Sequence, residues 1–220
     1  FNGTFNVKLN ENFFGEIEDT VINTYQHNKQ FAITWTHHQD PKARPNSTFT
    51  ANVNASSSSF DKYNTFDSYT GNVFTNNKMS NISYAKTFPN SPFSYSLNLR
   101  HSQNSRDSTI ALTLPDVNIN MSRIFPFRSK TREGQLKWYE NIGLSYTSTL
   151  QNKVTTKENK LFTDQTLEQF QKGVQHSIPL STSIKAFKYF TVSPGVNYTE
   201  RWYLSSVQKT WDPDKPVDTS

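Results

Sequence analysis

Apolar and polar residues alternate along almost the whole chain. Successive side chains on a strand point to opposite faces, so a period of two predicts strands with one apolar face. Phe5, Val7 and Leu9 alternate with Thr4, Asn6 and Lys8; Phe31, Ile33 and Trp35 follow; Phe49, Ala51, Val53 and Ala55 alternate with Thr50, Asn52 and Asn54. Ile82, Tyr84 and Phe88 mark a fourth segment, and Phe93, Tyr95, Leu97 and Leu99 against Ser94, Ser96, Asn98 and Arg100 a fifth, closed by a turn over 103–107. In the sixth, Ile110, Leu112 and Leu114 precede Pro115-Asp116, whereas Val117, Ile119 and Met121 follow it one residue out of phase. A β-bulge at Pro115-Asp116 restores a common face. Ile142, Leu144 and Tyr146 form the seventh segment, and Val174, Ile178, Leu180 and Ile184 the eighth. The last keeps one phase from Phe190 through Val192, Val196, Tyr198 and Trp202 to Leu204. As a single strand it would run about 50 Å, longer than the roughly 30 Å of a bilayer's hydrocarbon, with one end in water.

The pattern therefore predicts about nine strands of roughly 8–17 residues, where soluble sheets favour about 5–6. Connections are expected to be long over 10–29, 57–78 and 151–172 and short over 88–92 and 187–189, the asymmetry of transmembrane barrels, although the stretches near Gln103 and Phe125 break it. Aromatics gather at predicted strand ends: Phe125 and Phe127, Trp138 and Tyr139, Phe187, Tyr189 and Phe190, Trp202 and Tyr203. Amphipathic rings suit a head-group boundary, and this clustering is read as an interfacial girdle.

Composition sharpens the fold class. Hydrophobic residues make up 33% of the 220 positions, too few for a thick two-sided core, and mean hydropathy is −0.75. Disorder is a poor explanation, because the chain carries 17 Phe, 10 Tyr and 4 Trp. The polar positions are mostly Ser, Thr and Asn, as a water-filled lumen tolerates, whereas a soluble sandwich more often presents Lys and Glu. No run of about 18 apolar residues exists, so helical spans are excluded. The chain opens on Phe1 without a signal peptide and enters a strand pattern at once, which is expected of a piece of a longer protein. A net charge of +5 suits an anionic partner, but Lys and Arg are scattered in predicted turns such as Arg128-Ser129-Lys130-Thr131-Arg132 and read as solvated loop charge. Nucleic acid is not an expected partner.

Catalytic chemistry finds no foothold. His37 and His38 are adjacent on a strand end and face opposite sides, while His27, His101 and His176 are isolated. There is no cysteine, and with seven glycines the chain has no phosphate-cradling or dinucleotide fingerprint and no nucleophile elbow. Glu16 with Glu18 and Asp212 with Asp214 read as solvated loop carboxylates, and Asn-x-Ser/Thr triplets such as Asn46-Ser47-Thr48 and Asn197-Tyr198-Thr199 as compositional accidents. The expectation is a protein that is not an enzyme, with no catalytic, cofactor-binding or metal-ligating residue.

Particular runs of residues then narrow the reading. Trp35-Thr36-His37-His38-Gln39-Asp40-Pro41-Lys42-Ala43-Arg44-Pro45-Asn46-Ser47, Arg100-His101-Ser102-Gln103-Asn104, and Leu112-Thr113-Leu114-Pro115-Asp116 leading to Arg123-Ile124-Phe125-Pro126-Phe127 resemble the LptD lipopolysaccharide-assembly family, in a divergent bacterial branch. Trp138-Tyr139-Glu140-Asn141-Ile142-Gly143 and the stretch from His176-Ser177-Ile178-Pro179 to Glu200-Arg201-Trp202-Tyr203 continue the likeness over nearly the whole chain. The resemblance implies an all-β fold, an antiparallel transmembrane β-barrel in the cell outer membrane. It further implies lipopolysaccharide as substrate, outer-membrane lipid around the barrel, an LptE-like lipoprotein in the lumen, and a periplasmic Lpt bridge reached through a β-jellyroll. On this reading residues 1–220 are a single partial barrel domain, an early to middle segment lacking the jellyroll and at least one side of the lateral gate. The family's disulfide cysteines are missing and no gate residue is carried over, although Pro45, Pro115, Pro179 and Pro194 weaken local pairing.

The Ser/Thr/Asn face, including Ser94, Ser96, Asn98 and Arg100, is expected to line the lumen, so that charges at Leu97 or Ile142 impair assembly and Ser96→Asp does not. Two other readings share the periodicity: a porin or plugged transporter, and a surface β-sandwich used for adhesion. An odd strand count fits neither a complete bacterial barrel nor a seven-stranded immunoglobulin-like domain, and favours a segment.

Overall fold

The computed structural model describes residues 2–14, 26–63, 77–129, 134, 137–186 and 189–206. Nine strands form one antiparallel sheet: β1 (Asn2–Phe14), β2 (Gln26–His38), β3 (Ser47–Ser56), β4 (Asn77–Thr87), β5 (Phe93–Asn104), β6 (Thr109–Ile124), β7 (Gly143–Lys157), β8 (Gln171–Ser181) and β11 (Gly195–Tyr203), in that order. Between β8 and β11 a separate two-stranded ribbon pairs β9 (Ile184–Ala186) with β10 (Phe190–Val192). Two short helices, α1 (Ser58–Tyr63) and α2 (Asp164–Glu168), sit in the connections after β3 and β7.

The alternation sets the facing of every strand, because registers place apolar residues opposite apolar ones. One row crosses seven strands: Phe49, Tyr84, Leu97, Val117, Leu150, Val174 and Trp202 are successive cross-strand partners from β3 to β11. Phe5, Trp35 and Val53 form another over β1 to β3. Ala51, Ile110, Met121 and Val154 are buried on this face. Among the described residues no second sheet packs on it, and Phe93, Ile119 and Leu180 keep about two fifths of their surface open (43%, 42% and 41%). A β-sandwich would have covered them; that alternative is therefore excluded as the fold of these strands.

The bulge lies one residue earlier than the sequence placed it. Leu114 and Pro115 together oppose Leu99 on β5 and Asn152 on β7, and the Asn152 amide donates to the Leu114 carbonyl at 2.8 Å. The extra residue keeps Ile110 and Leu112 on the face that carries Val117, Ile119 and Met121. A second irregularity between Met121 and Ile124 was not anticipated; there Ser122 and Arg123 oppose Ser145.

Other expectations are corrected. The long final strand does not form: the chain breaks at Ser193-Pro194, β10 leaves to pair with β9, and β11 begins at Gly195. Pro194 has no N–H for the ladder, and its carbonyl instead accepts from the Thr182 N–H at 3.1 Å. The eighth segment likewise stops at Ser181, leaving Ile184 in the ribbon, and Ile142 lies just before β7, at the end of a 3-10 turn (Trp138–Asn141). The hairpins at one end extend farther than the apolar pattern: β1 runs to Phe14 and β2 starts at Gln26. Cross-strand polar and aromatic pairs carry the ladder there, with the Lys29 ammonium 3.6 Å from the Glu11 carboxylate and Phe13 stacked on His27 at 4.7 Å.

Connections do not sort cleanly by length, since the tight turn 105–108 shares a sheet end with 57–76 and 158–170. That end is tied together by polar contacts. The Ser58 N–H and hydroxyl donate to Glu158 at 3.0 and 2.5 Å, Asp61 accepts from Ser56, Ser105 and Lys78, and the Gln103 amide donates to the Ser56 carbonyl at 2.6 Å. Phe1, Glu16, Glu18, Lys130, Thr131, Arg132, Phe187, Asp212 and Asp214 lie outside the described residues.

Candidate functional site

The face opposite the apolar rows is mostly polar across the sheet, with Ala32, Met79, Ala85 and Ala111 among its few apolar members. Thr4, Thr36, Asn52, Asn81, Arg100, Thr113, Lys153 and Gln171 are successive partners from β1 to β8. The neighbouring row reads His38, Thr50, Ser83, Asn98, Asp116, Gln151, Gly173 and Tyr203 from β2 to β11. Ser94 and Ser96 belong to the same face, opposite Asn120 and Asn118. The four residues singled out in the sequence are thus brought together as one surface.

Side chains on this face bond to one another across the strands. The Thr4 and Thr36 hydroxyls are 2.7 Å apart and those of Thr50 and Ser83 2.6 Å; the Asn118 amide donates to the Thr149 hydroxyl at 3.0 Å, and the Thr147 hydroxyl to the Asn120 carbonyl oxygen at 3.1 Å. Short hydroxyls and amides both donate and accept, so the lattice can exchange partners with a passing polyol without leaving a group unpaired.

Charge enters at Arg100 and Asp116, whose guanidinium and carboxylate meet at 3.0 Å. The Asp116 side chain is 7% exposed and that of Arg100 56%, so the bulge buries the acid while the base reaches solvent. Three grooves open on this face among the described residues, two of them beside charged groups. One, about 420 Å³, lies beside Arg100 between Asn81 and Thr113; the other, about 580 Å³, is lined by Lys153, Gln175, Arg201 and Tyr203 over Gly173, which has no side chain to fill it. Arg201 is steadied by donating to Gln175 at 3.2 Å. Sequence reading missed Asp116, Lys153, Gly173 and Arg201 as members of the face; parity counted within each strand from its own apolar residues, such as Val117, Tyr146, Val174 and Trp202, would have found all four.

The histidines do not converge. His37 lies among Trp35 and Phe49 on the apolar side, whereas His38 stands in the polar row opposite Thr50; His27 stacks on Phe13, His101 meets the Ser80 hydroxyl at 3.2 Å, and His176 the Tyr146 hydroxyl at 2.7 Å. Among the described residues no group of three His, Cys, Asp or Glu could hold a metal ion. No described helix is long and apolar enough to cross a membrane, which says nothing of strands.

A wide antiparallel sheet with one bare apolar face and one hydrogen-bonded polar face is barrel wall in its patterning. The family model for the LptD protein matches residues 1–220. The chain belongs to the LptD family. No curated protein and no solved structure matches it. LptD proteins are outer-membrane β-barrels of lipopolysaccharide transport and assembly, not a family of enzymes, and this assignment selects LptD over a general porin. Among the described residues the LptD sheet is open: β1 pairs with β2 alone and β11 with β8 alone.

Proposed function

We propose that residues 1–220 form one partial barrel domain of an LptD-type translocon in the cell outer membrane, and that the polar face lines the lumen through which lipopolysaccharide reaches the outer leaflet. The observation that carries this reading is the facing itself: the row from Thr4 to Gln171 is polar at every strand from β1 to β8, while on the other face the row from Phe49 to Trp202 is apolar at every strand from β3 to β11. Soluble proteins rarely leave an apolar face of this breadth uncovered. In lipid, a continuous ladder satisfies the backbone and the apolar rows face hydrocarbon.

No bond needs to be made or broken. The Ser/Thr/Asn lattice offers sugar hydroxyls replacement hydrogen bonds, while acyl chains gain nothing on that side and leave for the bilayer wherever a seam opens. In the full protein an LptE-like lipoprotein occupies the lumen and the periplasmic Lpt bridge docks through a β-jellyroll.

Cysteine accessibility in the full-length protein, in cells, tests the facing. Ser96→Cys and Asn98→Cys should react with a water-soluble maleimide, and Leu97→Cys and Leu150→Cys only with a lipid-phase reagent. A photocrosslinking side chain at Asn98 should capture lipopolysaccharide. Equal aqueous labelling of residues 96 and 97 would overturn the assignment.

A further inference from the structure

A second charged locus lies away from the polar rows, at the sheet end that carries the connections 125–142 and 182–194. There a cavity of about 700 Å³ is lined by Arg123, Phe125, Arg128, Trp138, Asn141 and Lys185, among others. The second bulge of β6 aims Arg123 toward it, and Gly143 makes the passage possible: a Cβ at Gly143 would fall 1.8 Å from the Arg123 Nε. Its guanidinium crosses β7 and donates to the Ser181 carbonyl at 2.9 Å. Arg128 lies over the Phe125 ring at 4.0 Å and Arg123 lies over the same ring at 5.2 Å.

Two guanidinium groups thus share one ring, with an ammonium across the same cavity. No carboxylate is among the lining residues, and no ion pair among the described residues involves Arg123, Arg128 or Lys185. Converging like charges repel, so such a cluster is stabilised by an anion, and guanidinium forks match phosphate oxygens two at a time. The surroundings describe the rest of the ligand. Trp138 is 61% exposed, and Phe127 and Phe190, next in sequence to the lining residues Arg128 and Thr191, are exposed as well. Aromatic side chains of this kind sit where a polar head group meets acyl chains.

We infer that this cavity is an anion-binding site for the phosphate group of an amphiphile, distinct from the polar face. It does not depend on the polar face being a lumen.

Full-length protein in neutral maltoside micelles would be titrated calorimetrically with phosphatidic acid, with inorganic phosphate as competitor. The expected result is saturable binding that inorganic phosphate at equal concentration does not displace, weakened about tenfold or more by the double variant Arg123→Gln/Arg128→Gln. Arg123→Lys/Arg128→Lys should lose part of this affinity, and Gly143→Ala, which moves Arg123 without removing charge, should weaken binding severalfold. Arg106→Gln, exposed in the turn 105–108 at the other end of the sheet, should leave it within about twofold. Equal binding by the Gln double variant, or equal loss in Arg106→Gln, would overturn the site. Displacement by inorganic phosphate alone would overturn the amphiphile in favour of a soluble phosphate ester. If the Gln double variant does not assemble, as read by heat-modifiable electrophoresis, the Gly143→Ala titration decides. Cysteine labelling at residues 96 and 97 is independent of every arm, so failure here and failure of the lumen reading are separable.

Discussion

Leu97 stands directly opposite Val117 across β5 and β6, although an extra residue separates Val117 from the apolar positions earlier in its own strand. That alignment exists because Leu114 and Pro115 share one rung. Deleting Pro115 should make β6 regular and keep Ile110, Leu112, Val117 and Ile119 on one face, whereas deleting Asn118, away from both irregularities, should turn Ile119 and Met121 onto the polar face. The expected outcome is that the heat-modifiable assembled form persists in membranes after the first deletion and is lost after the second.

The two faces should respond oppositely to charge. Leu97→Asp and Leu150→Lys place a charge on the apolar side, where one near mid-membrane costs up to about 2–4 kcal/mol, less for an acid. Ser96→Asp, one residue away, should change stability by less than about 0.5 kcal/mol. Guanidinium unfolding of the protein refolded into lipid vesicles measures all three, and similar values at residues 96 and 97 would contradict the facing.

Asp116 is buried and depends on Arg100 for its charge partner. Arg100→Met should destabilise by about 1–2 kcal/mol, because it leaves the acid without its cation while part of that cation was already in solvent. Adding Asp116→Asn should recover most of the loss. A double-mutant cycle with no coupling between the two positions would show that the pair contributes nothing.

Glu11 and Lys29 make the opposite case. Both are largely exposed and 3.6 Å apart at the far end of the β1–β2 ladder. Glu11→Ala should change the unfolding free energy by less than about 0.5 kcal/mol, since screened surface pairs contribute little. A larger effect would mean that the hairpin end is held by charge and not by its backbone ladder.

Much of this architecture was legible in the residues. Strand identity and facing follow from a period of two, a property of the local backbone, and the phase slip at Pro115 announced the bulge because one extra residue has only one way to restore the facing. The Ser/Thr/Asn character of the second face and the family motifs were equally local. Tertiary structure decided what depends on partners distant in the chain. Val192 and Val196 share a phase with the last strand, yet the missing N–H of Pro194 and the competing partner Lys185 opposite Thr191 split it in two. Ser58 and Glu158 meet across 100 residues. Arg123, Arg128 and Lys185 converge only because a second bulge, the absent side chain of Gly143 and the β9–β10 ribbon coincide at one sheet end. Alternation records which side of the sheet a residue faces; which residues from other strands surround it is set by pairing and chain reversals, whose energies are summed over contacts that no local pattern contains.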